Sequence, residues 1–410
     1  MKIQQRLICF FVLFCFGAKM AMARSHWSFE SASEIRQTSY SSGSDAALLG
    51  YRQTELASQH LGAQLRWSNQ GLRGGVETLA EAFQGSEVAY QKQRGGIAPA
   101  LVPLPPKGNL WFLQKNDSSA QNRQTSLWVN QIYVERDWQQ FSLILGRQQV
   151  SWGDGLFFQV FDLISPINPL SYGLTPKYGK DLLQIRRQLA FGELDLLWLP
   201  QRKGQGRQSS QLFRLQGYSG AWQLKLMGGL HDQQKVLGLG ASHTLGRALG
   251  RLNLRATHTK RGATYVSGVA NLDYSFQVRE LDCYLFGEYF YQAEGESVDR
   301  YRHLEINPDL FKAIQDKQSF FLGRQYSLFG LRTETEGQWK FNLRDLINLA
   351  DQSSRLLGSA EWVVAQNWSL LLQGETSFGP ANSELTGLQV GAGITQKPGT
   401  SAKIQVKADF

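Results

Sequence analysis

The sequence predicts an all-β chain closed into a transmembrane antiparallel barrel of about 18 strands, with 16 as the alternative, and three observations lead there. Segments of about ten residues alternate apolar and polar side chains over much of the chain, the pattern of strands with lipid on one face and a polar lumen on the other. The polar face carries charges in mid-strand, where they are tolerated only if water reaches them. No stretch beyond residue 23 approaches the length of a continuous apolar helical span, and mean hydropathy is negative.

The N-terminus reads as a secretory signal peptide: Lys2 and Arg6 precede an apolar run from Leu7 to Gly17, and Ala21-Met22-Ala23 supplies small residues for cleavage near Ala23. Cys9 and Cys15 lie inside that run, and Phe14 is too large for a lipobox. After cleavage, loss of Lys2, Arg6 and Lys19 leaves 40 of the 43 basic residues against 34 acidic ones, a net charge of about +6. The basic residues are scattered among strands and turns, so no nucleic-acid partner is expected. Only Cys283 then remains, which excludes a disulfide framework and a cysteine-based zinc site.

Residues 24–60 are expected to form an N-terminal periplasmic or plug segment, and the barrel to run from 61 to 410. Its strands are predicted near 61–68, 72–83, 126–136, 138–147, 180–190, 192–200, 211–219, 221–230 and 235–246, then 248–260, 263–277, 279–291, 326–336, 338–350, 353–365, 367–378, 385–396 and 400–410. Trp222, Leu224, Leu226, Gly228 and Leu230 share one face of a strand, as do Trp368, Leu370, Leu372, Gly374, Thr376 and Phe378. Aromatic residues gather at strand ends (Trp198, Trp222, Tyr274, Phe276, Tyr289, Tyr291, Trp339, Trp368, Phe378), as interfacial girdles require. Charges expected in the lumen are Arg186, Arg214, Lys225, Arg251, Arg255 and Arg355, countered by Asp195, Asp273, Asp282, Glu288, Glu361 and Glu375. The last segment, Ala402 to Phe410, alternates and stops on an aromatic. It resembles the closing strand that bacterial outer-membrane barrels present to the barrel assembly machinery, which implies an assembly signal at Phe410 and a periplasmic C-terminus.

Long connections are expected at about 84–125, 148–179 and 292–325, the third with a short helix opened by Asn307-Pro308. Counting strands back from a periplasmic C-terminus puts all three on the periplasmic side, the reverse of ordinary barrels. Either one strand is miscounted, or this barrel presents its elaborated side to the cell interior.

The second connection carries the most specific local pattern. Gly146-Arg147-Gln148, Trp152-Gly153, Asp162, Pro166 and Pro169 resemble a motif of proteobacterial outer-membrane barrels loosely similar to alginate-export-type porins. Gly153 and Gly155 permit sharp turns, the two prolines end a ladder, and Phe157, Phe158, Val160, Phe161, Leu163 and Ile164 are too apolar for a solvated loop. The segment is expected inside the lumen or against the rim. Arg147, Gln148, Trp152, Asp154, Phe157, Asp162, Pro166 and Pro169 become plug or gating candidates, with a purely architectural corner as the competing reading.

Catalytic motifs are lacking, the histidines show no ligand spacing, and no enzyme activity, cofactor or metal is expected. The favoured function is an outer-membrane channel or exporter for a polar or amphipathic solute in a Gram-negative bacterium, embedded in bilayer and lipopolysaccharide and gated by an inserted loop. A closed adaptor barrel docking a periplasmic or inner-membrane lipid or polysaccharide transporter is the alternative, and a barrel hydrolase a distant third.

Overall fold

The computed structural model describes residues 24–40, 44–94, 109, 113–166, 169, 177–203, 206–297, 301, 307–315, 318–335, 337–389, 395–396 and 399–410. The expected signal peptide and its cleavage site lie outside them. The strands are β1 (Arg24–Ser39), β2 (Gln53–Asn69), β3 (Leu72–Gln84), β4 (Gln114–Asp117), β5 (Arg123–Trp138), β6 (Phe141–Gln148), β7 (Lys180–Leu189), β8 (Gly192–Lys203), β9 (Gly206–Ser219), β10 (Trp222–His231) and β11 (Gln234–Leu245). They continue with β12 (Ala248–His258), β13 (Thr264–Val278), β14 (Leu281–Gln292), β15 (Gln325–Thr335), β16 (Trp339–Asn348), β17 (Ser353–Ala365), β18 (Trp368–Phe378), β19 (Leu388–Gln389), β20 (Thr395–Gln396) and β21 (Thr400–Asp409). Among the described residues, three helices, α1 (Asp45–Leu48), α2 (Ser86–Arg94) and α3 (Pro308–Gln315), sit in the connections. The side chain of Asn307 caps α3 by accepting the Leu310 N–H at 3.0 Å, as the Asn-Pro pair predicts.

Every wall pairing is antiparallel, and the ladder runs β1-β2-β3-β5 and onward in order to β18, then β21, which pairs back with β1. Leaving out β4, β19 and β20, this is a closed wall of 18 strands. The predicted number holds, but two of its members change. Residues 24–39, assigned to a separate N-terminal segment, are the wall strand β1, paired with β2 from Arg24↔Ser68 to Ser39↔Gln53. Among the described residues of 385–396, assigned to the wall, the strands are those of the small hairpin of β19 with β20, which pairs with no wall strand.

That exchange resolves the contradiction over sidedness. With one false strand removed near the C-terminus, the turns 70–71, 139–140, 190–191, 220–221, 246–247, 279–280, 336–338 and 366–367 all lie at the end where β1 begins and β21 finishes. Connections of more than five residues lie at the opposite end. Several tight turns take positive φ, as at Gly71 (78°), Gly220 (59°) and Gly246 (62°), which matches their twist to the right-handed twist of the strands.

The wall is inverted relative to a soluble protein. On β21, Ser401, Lys403 and Gln405 are buried while Ile404 is 55% and Phe410 60% exposed. The same inversion repeats on β10, where Lys225 is buried and Leu224 exposed, and on β12, where Asn253 and Arg255 are buried between exposed Leu252 and Leu254. An exposed aliphatic band around a buried polar interior suits hydrocarbon outside and not water. Aromatic rings mark the boundary near the short turns: Trp339 stacks on Trp362 at 5.6 Å, and Trp368 meets Phe410 edge-on at 6.0 Å. Trp198, Tyr289 and Phe378 are exposed toward the other boundary.

Candidate functional site

β6 leaves the wall at Gln148, and residues 149–166 fold into the barrel against the inward faces of the wall strands. Apolar content drives this. Trp152, Phe158, Val160, Phe161, Leu163 and Ile164 are all buried, packed with Leu197, Leu212, Met227, Val236, Val269, Phe286, Tyr326, Leu328 and Leu346 from the wall strands. Phe158 stacks on Phe290 of β14 at 4.4 Å with planes 10° apart, and Phe321 and Tyr326 close around it. Phe161 lies against β11, where Gly238 and Gly240 leave its space; a Cβ on Gly238 would come within 2.8 Å of the ring and one on Gly240 within 3.1 Å.

Polar anchors then fix the segment. At its root, Arg147 makes a two-pronged ion pair with Asp181 of β7 (2.8 and 3.2 Å) and also donates to the Val129 carbonyl at 3.1 Å. Gln148 ends the ladder opposite Lys180. Asp162 accepts the N–H groups of Trp152 (2.6 Å) and Gly153 (2.7 Å) and pairs with Lys177 at 2.5 Å, closing the segment on itself. Asp154 reaches the wall through Lys225 at 2.8 Å and Asn253 at 2.6 Å, and Arg255 donates to the Val160 carbonyl at 2.7 Å. Phe157 is half-buried and edge-on to Phe158; Pro166 and Pro169 are half-buried where the segment turns back.

Glu288 on β14, expected from the sequence only as one lumen acid among several, anchors the segment through its backbone. Its buried carboxylate accepts three successive backbone N–H groups, Leu156 (2.7 Å), Phe157 (2.9 Å) and Phe158 (2.6 Å), and the Asn271 amide at 3.1 Å. A carboxylate that accepts three successive amides, with no cation paired to it among the described residues, is a backbone-recognition device.

The predicted lumen charges all lie on inward faces, mostly in cross-strand pairs. Arg186 and Arg214 share Asp195, and Arg214 also meets Glu193 at 2.6 Å. Arg251 pairs with Asp273 at 2.5 Å, and Arg355 with Glu375 at 2.9 Å. Glu361 faces Lys340 across the ladder. These arrays leave a polar, nearly neutral lining. On the short-turn side of the lumen lies a cavity of about 750 Å³ lined by Arg247, Ser275, Gln277, Asp282, Tyr284, Arg332 and Glu334.

A second insertion comes from residues 379–387, part of which alternation alone extends into a wall strand. Glu384 accepts from the Leu322 N–H at 2.7 Å, the Asn348 amide at 2.8 Å and the Tyr326 hydroxyl, and its own N–H is held by Asp351 at 2.7 Å. Residues 379–387 thus join the segment 149–166 and Phe321 of the 293–324 connection in filling the barrel at its long-loop end.

No family model and no curated protein sequence matches the chain. Solved structures do. The chain is similar to OccAB4 of Acinetobacter baumannii (TM-score 0.56, 8% identity, 94% of this chain and 98% of that one) and to a BenF-like porin from Pseudomonas fluorescens Pf-5 (TM-score 0.55, 9% identity, 95% and 99%). It is similar also to OccK5 (OpdH) of Pseudomonas aeruginosa (TM-score 0.53, 9% identity, 95% and 98%). The shared property at such identities is the fold.

Proposed function

We propose that this chain, whose fold is that of solved porins, is an outer-membrane channel for a polar or amphipathic solute, restricted by the inserted segment 149–166. The observation that carries the reading is the anchoring of that segment across the lumen to β10, β12 and β14 through Lys225, Asn253, Arg255 and Glu288. A merely architectural corner would be tied at its root by Arg147 and Asp162. Cross-lumen anchors instead set the free cross-section, so Asp154, Phe157 and Trp152 act as constriction elements while Arg147, Gln148, Asp162, Pro166 and Pro169 hold the corner.

The long connections lie opposite the end where β1 begins and β21 finishes, and outer-membrane barrels place tight turns in the periplasm. The elaborated end thus faces outward. That weakens the adaptor reading, which required long loops toward the inner membrane. The hydrolase reading gains nothing from the histidines: His60 pairs with Glu81 at 2.9 Å, His258 meets Thr264 at 2.9 Å, and His243 lies on Trp222. The likeness to alginate-export-type porins rests on the motif residues alone. Phe410, whose N–H and carbonyl both bond Phe29 at 2.7 Å, suits a closing and assembly signal.

The test is single-channel recording of purified, folded protein in a planar bilayer, with folding verified by altered gel mobility before boiling. Discrete conductance steps for small ions are expected. A folded barrel with none would replace the channel by the closed adaptor.

A further inference from the structure

The outer wall is not uniform. Around β8 to β16 its lipid-facing positions are large and apolar, for example Leu196, Leu224, Leu239, Leu254, Leu285 and Phe329, all exposed. Along β1 and β2 the outward series is Ser31, Ser33, Ile35 and Gln37 against Leu61, Gln59, Ala57 and Glu55, and β3 adds Thr78, Ala80 and Ala82. Ser33 and Gln59 are direct cross-strand partners on the same face as Ile35 (68% exposed) and Leu61 (57% exposed).

Depth makes this polar pair significant. Ser33 is six residues above Trp27 and Gln59 eight above Trp67, the rings marking the short-turn boundary on these strands. At about 3.3 Å per residue and a tilt near 40°, they stand roughly 15 to 20 Å into an apolar band about 25 Å tall. Gln37 and Glu55 fall at its far edge. Among the described residues the Gln59 amide has no hydrogen-bond partner. An amide left in hydrocarbon without a partner is costly, so something that hydrogen-bonds must cover it.

We propose that the outer face of β1 to β3 is an interface between two copies of this chain, with Gln59 of each copy bonded to Gln59 of the other. A carboxamide both donates and accepts, so it satisfies itself across a twofold axis. Ala57, Ala80 and Ala82 allow the walls to approach closely. Shape adds a further argument: beside β1 the same wall holds a hollow of about 540 Å³ floored by Gly358, Gly374 and Ala402 and edged by Ile35 and Ile404. Gly358, Gly374, Ala402 and Gln37 are successive cross-strand partners, so hollow and polar face are continuous. An acyl chain fills such a hollow but offers Gln59 nothing; a second copy supplies both a ridge and an amide.

The test uses the full chain in native outer membranes. In a Cys283→Ser background, Gln59→Cys is expected to oxidise to a disulfide-linked dimer, with Ser33→Cys as the second probe, whereas Leu239→Cys on β11 stays monomeric. Native mass spectrometry of wild-type protein in mild detergent is expected to show a dimer, weakened roughly 3- to 20-fold by Gln59→Leu. Folded Gln59→Cys and Ser33→Cys proteins that stay monomeric, cross-link to a different protein, or cross-link no better than Leu239→Cys overturn the proposal. So does a wild-type monomer carrying only lipid adducts.

Discussion

Replacing Glu288 by Ala removes the acceptor for the N–H groups of Leu156, Phe157 and Phe158 in one step. Each charge-assisted bond is worth about 1.5 to 3 kcal/mol when it is lost in a buried site. Rehydration of the freed amides in a lumen returns much of that, leaving about 1 kcal/mol per bond and about 3 to 4 kcal/mol in all once Asn271 is counted. The balance between seated and displaced plug then shifts roughly 10²- to 10³-fold. Phe158 on Phe290 and the Asp154 contacts still hold the segment, so the expected result is excursions to a larger conductance and not permanent opening. Glu288→Gln keeps one carbonyl oxygen, able to accept two of the three bonds, and should fall between Ala and wild type. The assay is single-channel recording of the three proteins side by side, each shown to be folded by its unboiled mobility. Identical conductance and noise in folded Glu288→Ala and wild type would refute the view that this carboxylate seats the plug.

Gly238→Val should displace Phe161, because a Cβ there meets both that ring and Met227; overpacking of this kind costs about 1 to 3 kcal/mol, and increased conductance with an intact barrel is the expected readout. Arg147→Ala takes the guanidinium away from the buried Asp181 carboxylate, a loss of about 3 to 5 kcal/mol that should lower the temperature at which folded mobility disappears. Burial pushes the Glu384 carboxyl up from its usual 4.5 to about 7, so seating of residues 379–387 is favoured fully below about pH 4.5 and that preference is lost as pH rises through 7. Limited proteolysis within 379–387 should therefore be faster at pH 8 than at pH 5, and Glu384→Gln should abolish the difference.

The membrane fold was legible because hydrocarbon imposes a pattern on every strand: Leu224, Leu226 and Leu230 outside and Lys225 inside can be read from alternation alone. β1 escaped for an equally physical reason. Its outward positions Ser31, Ser33 and Gln37 break the apolar rhythm, so a wall strand reads as a polar leader. Residues 385–396 misled in the other direction, because Leu388, Val390, Ala392 and Ile394 imitate the rhythm in sequence, while the neighbouring Leu385 is in fact packed against the plug. Within the site, the motif from Gly146 to Pro169 announced an inserted corner through its apolar content. The receiving surface stayed hidden: Glu288 is one acidic residue among many until β14 places it beside three amides 130 residues away in sequence. The inward glycines Gly238 and Gly240 were the one available signal for the seat of Phe161, since two small residues at alternate positions of a strand imply something pressed against it.

The seam between β1 and β21 has a meaning for how the molecule comes to exist. Every other pairing in the wall joins neighbours around the ring that, once β4, β19 and β20 are set aside, also follow one another in the chain, so the sheet can zip up as hairpins add. The seam instead joins Glu30 to Asp409 and Ser39 to Thr400, the two wall strands farthest apart in the sequence. Until it forms, the molecule is an open ribbon with two raw edges, one of them the polar-backed β1, and both must be kept from pairing with strangers. Closure is thus a single late event involving the whole chain, and a truncation anywhere in the last ten residues should be felt at the first.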